Sequence, residues 1–97
     1  MNGIRWVKAA DLRLPSSRTY VDLAKLARQV RQHGRGLSGM PPLEVTLCAD
    51  DEMFINSGVT RATRAFRYAG PDAPVPVVVI DTRPNLDIRH LPRVSDP

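Results

Sequence analysis

The chain has 97 residues, 42% hydrophobic and 25% charged, with a formal net charge of +4. That length holds one core and excludes two, and the composition is too apolar for a disordered chain. The longest apolar run, Val75 to Ile80, is broken by Pro76 and far too short to span a bilayer, and Met1-Asn2-Gly3-Ile4-Arg5 lacks a secretory signal, so a cytoplasmic protein with no membrane partner is expected.

The charge is uneven. Residues 1–35 carry eight Lys/Arg against Asp11 and Asp22, and twelve of the fourteen basic residues are Arg, whose planar fork grips phosphate or carboxylate. A charged partner would be anionic; a solvated basic surface is the plainer reading. The single cysteine, Cys48, excludes an internal disulfide, and neither His33 nor His90 stands at zinc-ligand spacing from it, so no metal site is expected. Cys48 falls in a strand-like run and reads as a small core residue.

Ile4 to Val7, followed by Leu12 and Leu14, predicts a first strand that ends at the turn Pro15-Ser16-Ser17. Thr19 then caps a predicted helix with Asp22 at its third position, and Leu23, Leu26, Ala27 and Val30 recur at helical spacing until His33-Gly34 stops it. Opposite that stripe, Lys25, Arg28, Arg31 and Arg35 form a basic face, either solvated or placed against a polyanion. Pro41-Pro42 leads into a strand from Leu43 to Cys48. Ala49-Asp50-Asp51-Glu52 reads as a hairpin turn and Met53 to Asn56 as the returning strand. Period-two alternation sets Glu44 on one face with Thr46 and Cys48, opposite Leu43, Val45 and Leu47.

A second helix is predicted from about Thr60 to Tyr68, with Ala62, Ala65, Phe66 and Ala69 packing and Arg61, Arg64 and Arg67 partly elsewhere; Gly70-Pro71 ends it. Val75 to Ile80 reads as a buried strand. The order is β-α-β-β-α-β, with a domain over residues 1–82 and a loosely structured tail over 83–97, punctuated by Pro84, Pro92 and Pro97.

The chemistry concentrates at Asn56-Ser57-Gly58-Val59-Thr60-Arg61, where a strand passes straight into a helix. Gly58 permits a tight turn and close backbone approach, and the first N–H groups and dipole of the helix favour an anion. Ser57 and Thr60 offer hydroxyls, and Arg61 a permanent charge. An ordinary capped helix start, with Ser57 or Thr60 satisfying backbone amides, is the alternative.

The run Pro41-Pro42-Leu43-Glu44-Val45, a hairpin, Phe54 to Ala65, and then Val75-Pro76-Val77-Val78-Val79 resembles the core of the ParB/sulfiredoxin superfamily over roughly residues 4–82. The resemblance implies a small α/β (α+β) domain with a mixed sheet, in which the G-x-x-R segment binds nucleotide phosphates. In sulfiredoxins that segment resembles Gly-Cys-His-Arg and in ParB proteins Gly-Glu-Arg-Arg. Here it is Gly58, Val59, Thr60, Arg61, so the sulfiredoxin nucleophile is missing, and the helix-turn-helix and dimerisation regions of a chromosome-partition clamp are not part of these 97 residues.

The resemblance implies phosphate contacts from Asn56, Ser57, Gly58, Val59, Thr60, Arg61 and Arg64, with Arg18, beside Ser16 and Ser17, as a second contact. Some relatives are nucleases or small-metabolite kinases, which need a carboxylate near the phosphate, and Glu44 is the candidate for that catalytic role. The expected ligand is a nucleoside triphosphate with magnesium or another phosphate-bearing molecule, with phosphoryl transfer or nucleotide hydrolysis as the reaction. Two other readings stand beside it: a nucleic-acid-binding or nuclease domain using Lys25, Arg28, Arg31 and Arg35, and a catalytically inactive protein-interaction or toxin-like module.

Overall fold

The computed structural model describes residues 3–15, 28, 31 and 40–96. Four strands, β1 (Ile4–Lys8), β2 (Leu43–Cys48), β3 (Met53–Ser57) and β4 (Pro74–Arg83), form one mixed sheet in the spatial order β1-β4-β2-β3. β2 and β3 are antiparallel around a 3-10 turn at Ala49–Asp51, the predicted hairpin. The chain then forms the helix Val59–Ala69 and returns as β4, parallel to β2 and antiparallel to β1. This is the expected α+β domain with a mixed sheet. Of the predicted first helix only Arg28 and Arg31 are described, both helical and exposed; its other positions, with Arg18, Lys25 and Arg35, lie outside the described residues. No described helix is long and apolar enough to cross a membrane.

Alternation along the strands builds the core. Leu43 and Val45 of β2, Ile55 of β3, and Val75 and Val77 of β4 are fully buried and pack against Val59, Ala62 and Ala65 of the helix. The two alanines let the helix lie close to the sheet, and each buried aliphatic side chain contributes about 1.5–3 kcal/mol. Cys48 belongs to a second, smaller cluster with Ile88 and Leu91, against which Phe54 packs.

The helix packs through Ala62, Ala65 and Phe66 as predicted, and departs from the expectation at two positions. Arg64, expected partly outside, is 1% exposed, whereas Ala69, expected to pack, is exposed. Its side is set by the sheet contact of Ala62 and Ala65. Arg64 lies beside that contact, and Ala69 falls at the helix end, beyond the sheet.

β4 is longer than the predicted Val75 to Ile80, and it holds Pro74 and Pro76 within a central strand. Proline cannot donate to a ladder. Both prolines pair with β1, at Lys8 and Trp6, while pairing with β2 starts only at Val77. β4 therefore has a neighbour on one side only where its donors are missing.

The segment after Arg83, expected as a loose tail, is docked. Ile88, Leu91 and Val94 are buried, Leu14 N–H donates to Pro92 O at 2.8 Å, and Val94 N–H donates to Leu12 O at 2.9 Å. The prolines interrupt regular structure without preventing packing. The anchor is Arg13, which no motif or spacing singles out. Its backbone bridges β3, with Arg13 N–H donating to Met53 O at 2.9 Å and Ile55 N–H donating to Arg13 O at 3.0 Å. Its side chain, 9% exposed, donates through Nε to Glu52 Oε1 at 3.0 Å and through Nη1 to the carbonyls of Arg89 (3.1 Å) and Leu91 (2.8 Å).

Removing Arg13 would leave a half-buried carboxylate and two carbonyls without their donor. Arg13→Ala is expected to lower stability by about 2–4 kcal/mol in urea unfolding. A loss below about 1 kcal/mol, the range of an ordinary surface change, would contradict the anchoring role.

Candidate phosphate-binding site

β3 does not run regularly into the helix. Val45 of β2 pairs with Ile55 but Glu44 pairs with Ser57, so Asn56 is an extra residue in a bulge. A bulge bends its strand and re-aims the chain beyond it. Here it brings Ser57 opposite Glu44, one residue before the helix turn. Thr46 Oγ1 donates to Asn56 Oδ1 at 2.8 Å, so the carbonyl end of Asn56 serves the sheet and leaves its amide NH2 as donor.

Gly58 makes the turn. Its φ of +114° is in the region that disfavours a side chain, and a Cβ there would lie 2.8 Å from Leu43 Cγ and 2.9 Å from Arg61 Nη2. Leu43 is a fully buried core residue, so it cannot swing aside. The glycine thus sits between the core and the Arg61 guanidinium, which folds back over the helix start with Nη2 3.5 Å from Pro42 O.

Among the described residues no side chain caps the helix. Its first intrahelical bond runs from Ala62 N–H to Gly58 O at 2.9 Å, so the N–H groups of Val59, Thr60 and Arg61 have no intrahelical partner. The capped-start alternative, with Ser57 or Thr60 satisfying these amides, is not what forms. Ser57 is exposed, and Thr60 is 3% exposed with Oγ1 buried and lacking a hydrogen-bond partner among the described residues. Arg61 Nε is likewise buried and unpartnered among them. Thr63, by contrast, satisfies its hydroxyl on Val59 O at 2.9 Å.

A buried hydroxyl without a partner costs about 1–3 kcal/mol, so the first helical turn holds polar groups that the described fold does not use. Arg64, one turn on, adds charge at the same end. Burial first, and then the neighbouring Arg61 charge, push the Arg64 pKa down from its ordinary value, although a guanidinium stays protonated at neutral pH. Open amides, a helix dipole and two neighbouring guanidiniums together make an electropositive helix start.

Glu44 is not part of this cluster. It pairs in register with Ser57, but alternation along β2 puts it on the face opposite Leu43 and Val45, whose face carries the helix. Thr46 and Cys48 share the face of Glu44 and are buried, while Glu44 is exposed. Cys48 Sγ donates to Thr46 O at 3.8 Å, and burial pushes the thiol pKa up, which suits a core thiol and not a nucleophile. Among the described residues no three His, Cys, Asp or Glu side chains gather as a metal group. Cavities lined by described residues, of about 350, 380 and 240 Å³, lie around Leu12 and Arg93, around Pro84, and around Phe54 and Leu91.

Gly58→Ala is expected to cost about 1–3 kcal/mol in thermal or urea unfolding, from the left-handed backbone and the contact with Leu43. A neutral substitution would show that the junction is not constrained as described.

No family model and no curated protein sequence matches the chain. Among solved structures, it is similar to the C-terminally truncated chromosome-partitioning protein ParB from Caulobacter crescentus complexed with CTP-gamma-S, with a TM-score of 0.56 and 24% identity over 96% of this chain. The chain spans 48% of the length of that structure. The fold of this chain is ParB-like.

Proposed function

We propose that this chain is a nucleotide-binding module that anchors the phosphates of a nucleoside triphosphate at the helix start Gly58 to Arg61. The observation that carries the reading is the uncapped first turn, with the open N–H groups of Val59, Thr60 and Arg61 beside a buried Thr60 hydroxyl that has no partner among the described residues. In this reading the backbone amides take phosphate oxygens, Arg61 supplies the main counter-charge, and Arg64 raises the local potential. Ser57 pairs with Glu44 and Asn56 bonds to Thr46, both on the far face of the sheet, so neither side chain is given a phosphate contact, and Arg18 is proposed as a second contact. The ParB structure of similar fold was solved with CTP-gamma-S, which makes a cytidine nucleotide the first ligand to try. Magnesium would arrive on the phosphates. The reading is one of binding: Glu44, the carboxylate nearest in register, lies on the other face of the sheet, so no hydrolytic step is assigned to it.

Calorimetry with CTP, ATP and GTP, with and without magnesium, tests the reading. Binding of at least one triphosphate is expected, and no heat with any of them at millimolar concentration would overturn it. Arg61→Ala should weaken binding by about tenfold to a hundredfold, the worth of a charge-assisted hydrogen bond. Thr60→Val carries a more diagnostic signature, because it removes an unused buried hydroxyl from the free protein and a donor from the complex. Stability should rise or hold while affinity falls. A Thr60→Val protein that is destabilised and binds normally would contradict the role given to that hydroxyl.

A further inference from the structure

The other edge of the sheet has an unusual surface. Among the described residues β1 pairs with β4 alone, and none of them pairs with the backbone donors and acceptors of its outer edge. Natural edge strands are usually shielded by charge or proline. Here Trp6 is 65% exposed and Ile4 55% exposed, alternating with Arg5 and Val7, with Lys8 next along their own face. Residues paired directly across a ladder share a face, so Ile4 and Trp6 stand on one face with Val78 and Pro76 of β4. The result is an apolar strip that ends at an open hydrogen-bonding edge.

We infer that β1 pairs antiparallel with β1 of a second copy of this chain, about a two-fold axis through Trp6, joining two four-stranded sheets into one. The sequence of the strand selects this register. Centred on Trp6, Ile4 faces Lys8 of the other copy, Arg5 faces Val7, and Trp6 faces itself. Neither cation of β1 meets a cation, the Lys8 stem lies along Ile4 with its ammonium 3.3 Å from Asp72 Oδ1 of its own chain, and two indole rings meet at the centre. All five residues of the strand are used. Centring on Arg5 instead would set two guanidiniums against each other, and centring on Val7 would leave Ile4 beyond the other copy's strand. The pairing is isologous and closed, so it gives a dimer and not a fibre.

This surface is independent of the phosphate reading. β1 and β3 are opposite edges of the sheet, and the Gly58 junction lies just beyond β3. Joining two β1 edges leaves both helix starts clear.

Trp6 is the only tryptophan in the chain, so its fluorescence reports on the proposed contact directly. Sedimentation of the whole chain should give a mass twice its 10.8 kDa as concentration rises, with the emission maximum moving to shorter wavelength over the same range. Ile4→Lys sets like charges opposite each other at both ends of the paired strands and should weaken association by about tenfold or more, while circular dichroism confirms the fold of this exposed-site variant. Ile4→Glu, which leaves the Lys8–Asp72 ion pair in place, sets a carboxylate opposite each Lys8 and should keep association. A chain that stays monomeric at millimolar concentration with unchanging emission overturns the inference and leaves the edge to a different partner. A dimer indifferent to Ile4→Lys, or one that Ile4→Glu weakens as much as Ile4→Lys, overturns the register and the proposal with it.

Discussion

The geometry of the candidate site turns on the left-handed backbone at Gly58. The chain there passes so close to Leu43 that no side chain fits, and the same crowding brings the Arg61 guanidinium over the first helical turn. A residue with a Cβ would force either the core strand or the helix away. With glycine, the helix can begin directly at the end of β3, and among the described residues no side chain caps its first three amides. The features that make this junction a suitable anion site stem from one close approach, and the bulge at Asn56 sets the angle from which the strand enters it.

A site of this kind works only if the strand leading to it is held. β3 is an edge strand, yet both of its sides are engaged. β2 pairs along one side, and the backbone of Arg13 bonds to Met53 and Ile55. The Arg13 side chain then joins the hairpin, through Glu52, to the carbonyls of the C-terminal segment. This is the arrangement in which a buried arginine is stabilising: a carboxylate and two carbonyls receive its donors together. The C-terminal segment in turn packs over Cys48 and Phe54, covering one end of the second face of the sheet. The strand that carries the candidate site is therefore braced by contacts between parts of the chain distant in sequence.

Much of the fold was legible because its signals are local. The hairpin comes from Ala49-Asp50-Asp51-Glu52 between alternating strands, the helix from Gly58 to Gly70, and β4 from its β-branched run. The three features that were missed are long-range. Arg13 reads as one more basic residue until Glu52, Arg89 and Leu91 are brought around it. The burial of Ile88, Leu91 and Val94 was hidden by the prolines beside them, which signal irregular backbone and say nothing about docking. Helical spacing sets Arg64 only partly off the packing side, and does not show that the chain encloses it. At the site itself, the motif announced a helix start with anion-binding geometry. It could not show that Thr60 is buried without a partner among the described residues, or that alternation turns Glu44 to the far face. The first of these strengthens the binding reading and the second separates it from catalysis.

Whether the first turn after Gly58 holds phosphate can be read from the backbone amide resonances of the isotope-labelled chain during titration with CTP and magnesium. The largest shifts should fall on Gly58, Val59, Thr60 and Arg61, with those of the β1 edge and the segment around Ile88 little changed. Saturable shifts centred away from those four amides, or none at all, would contradict phosphate binding at this turn.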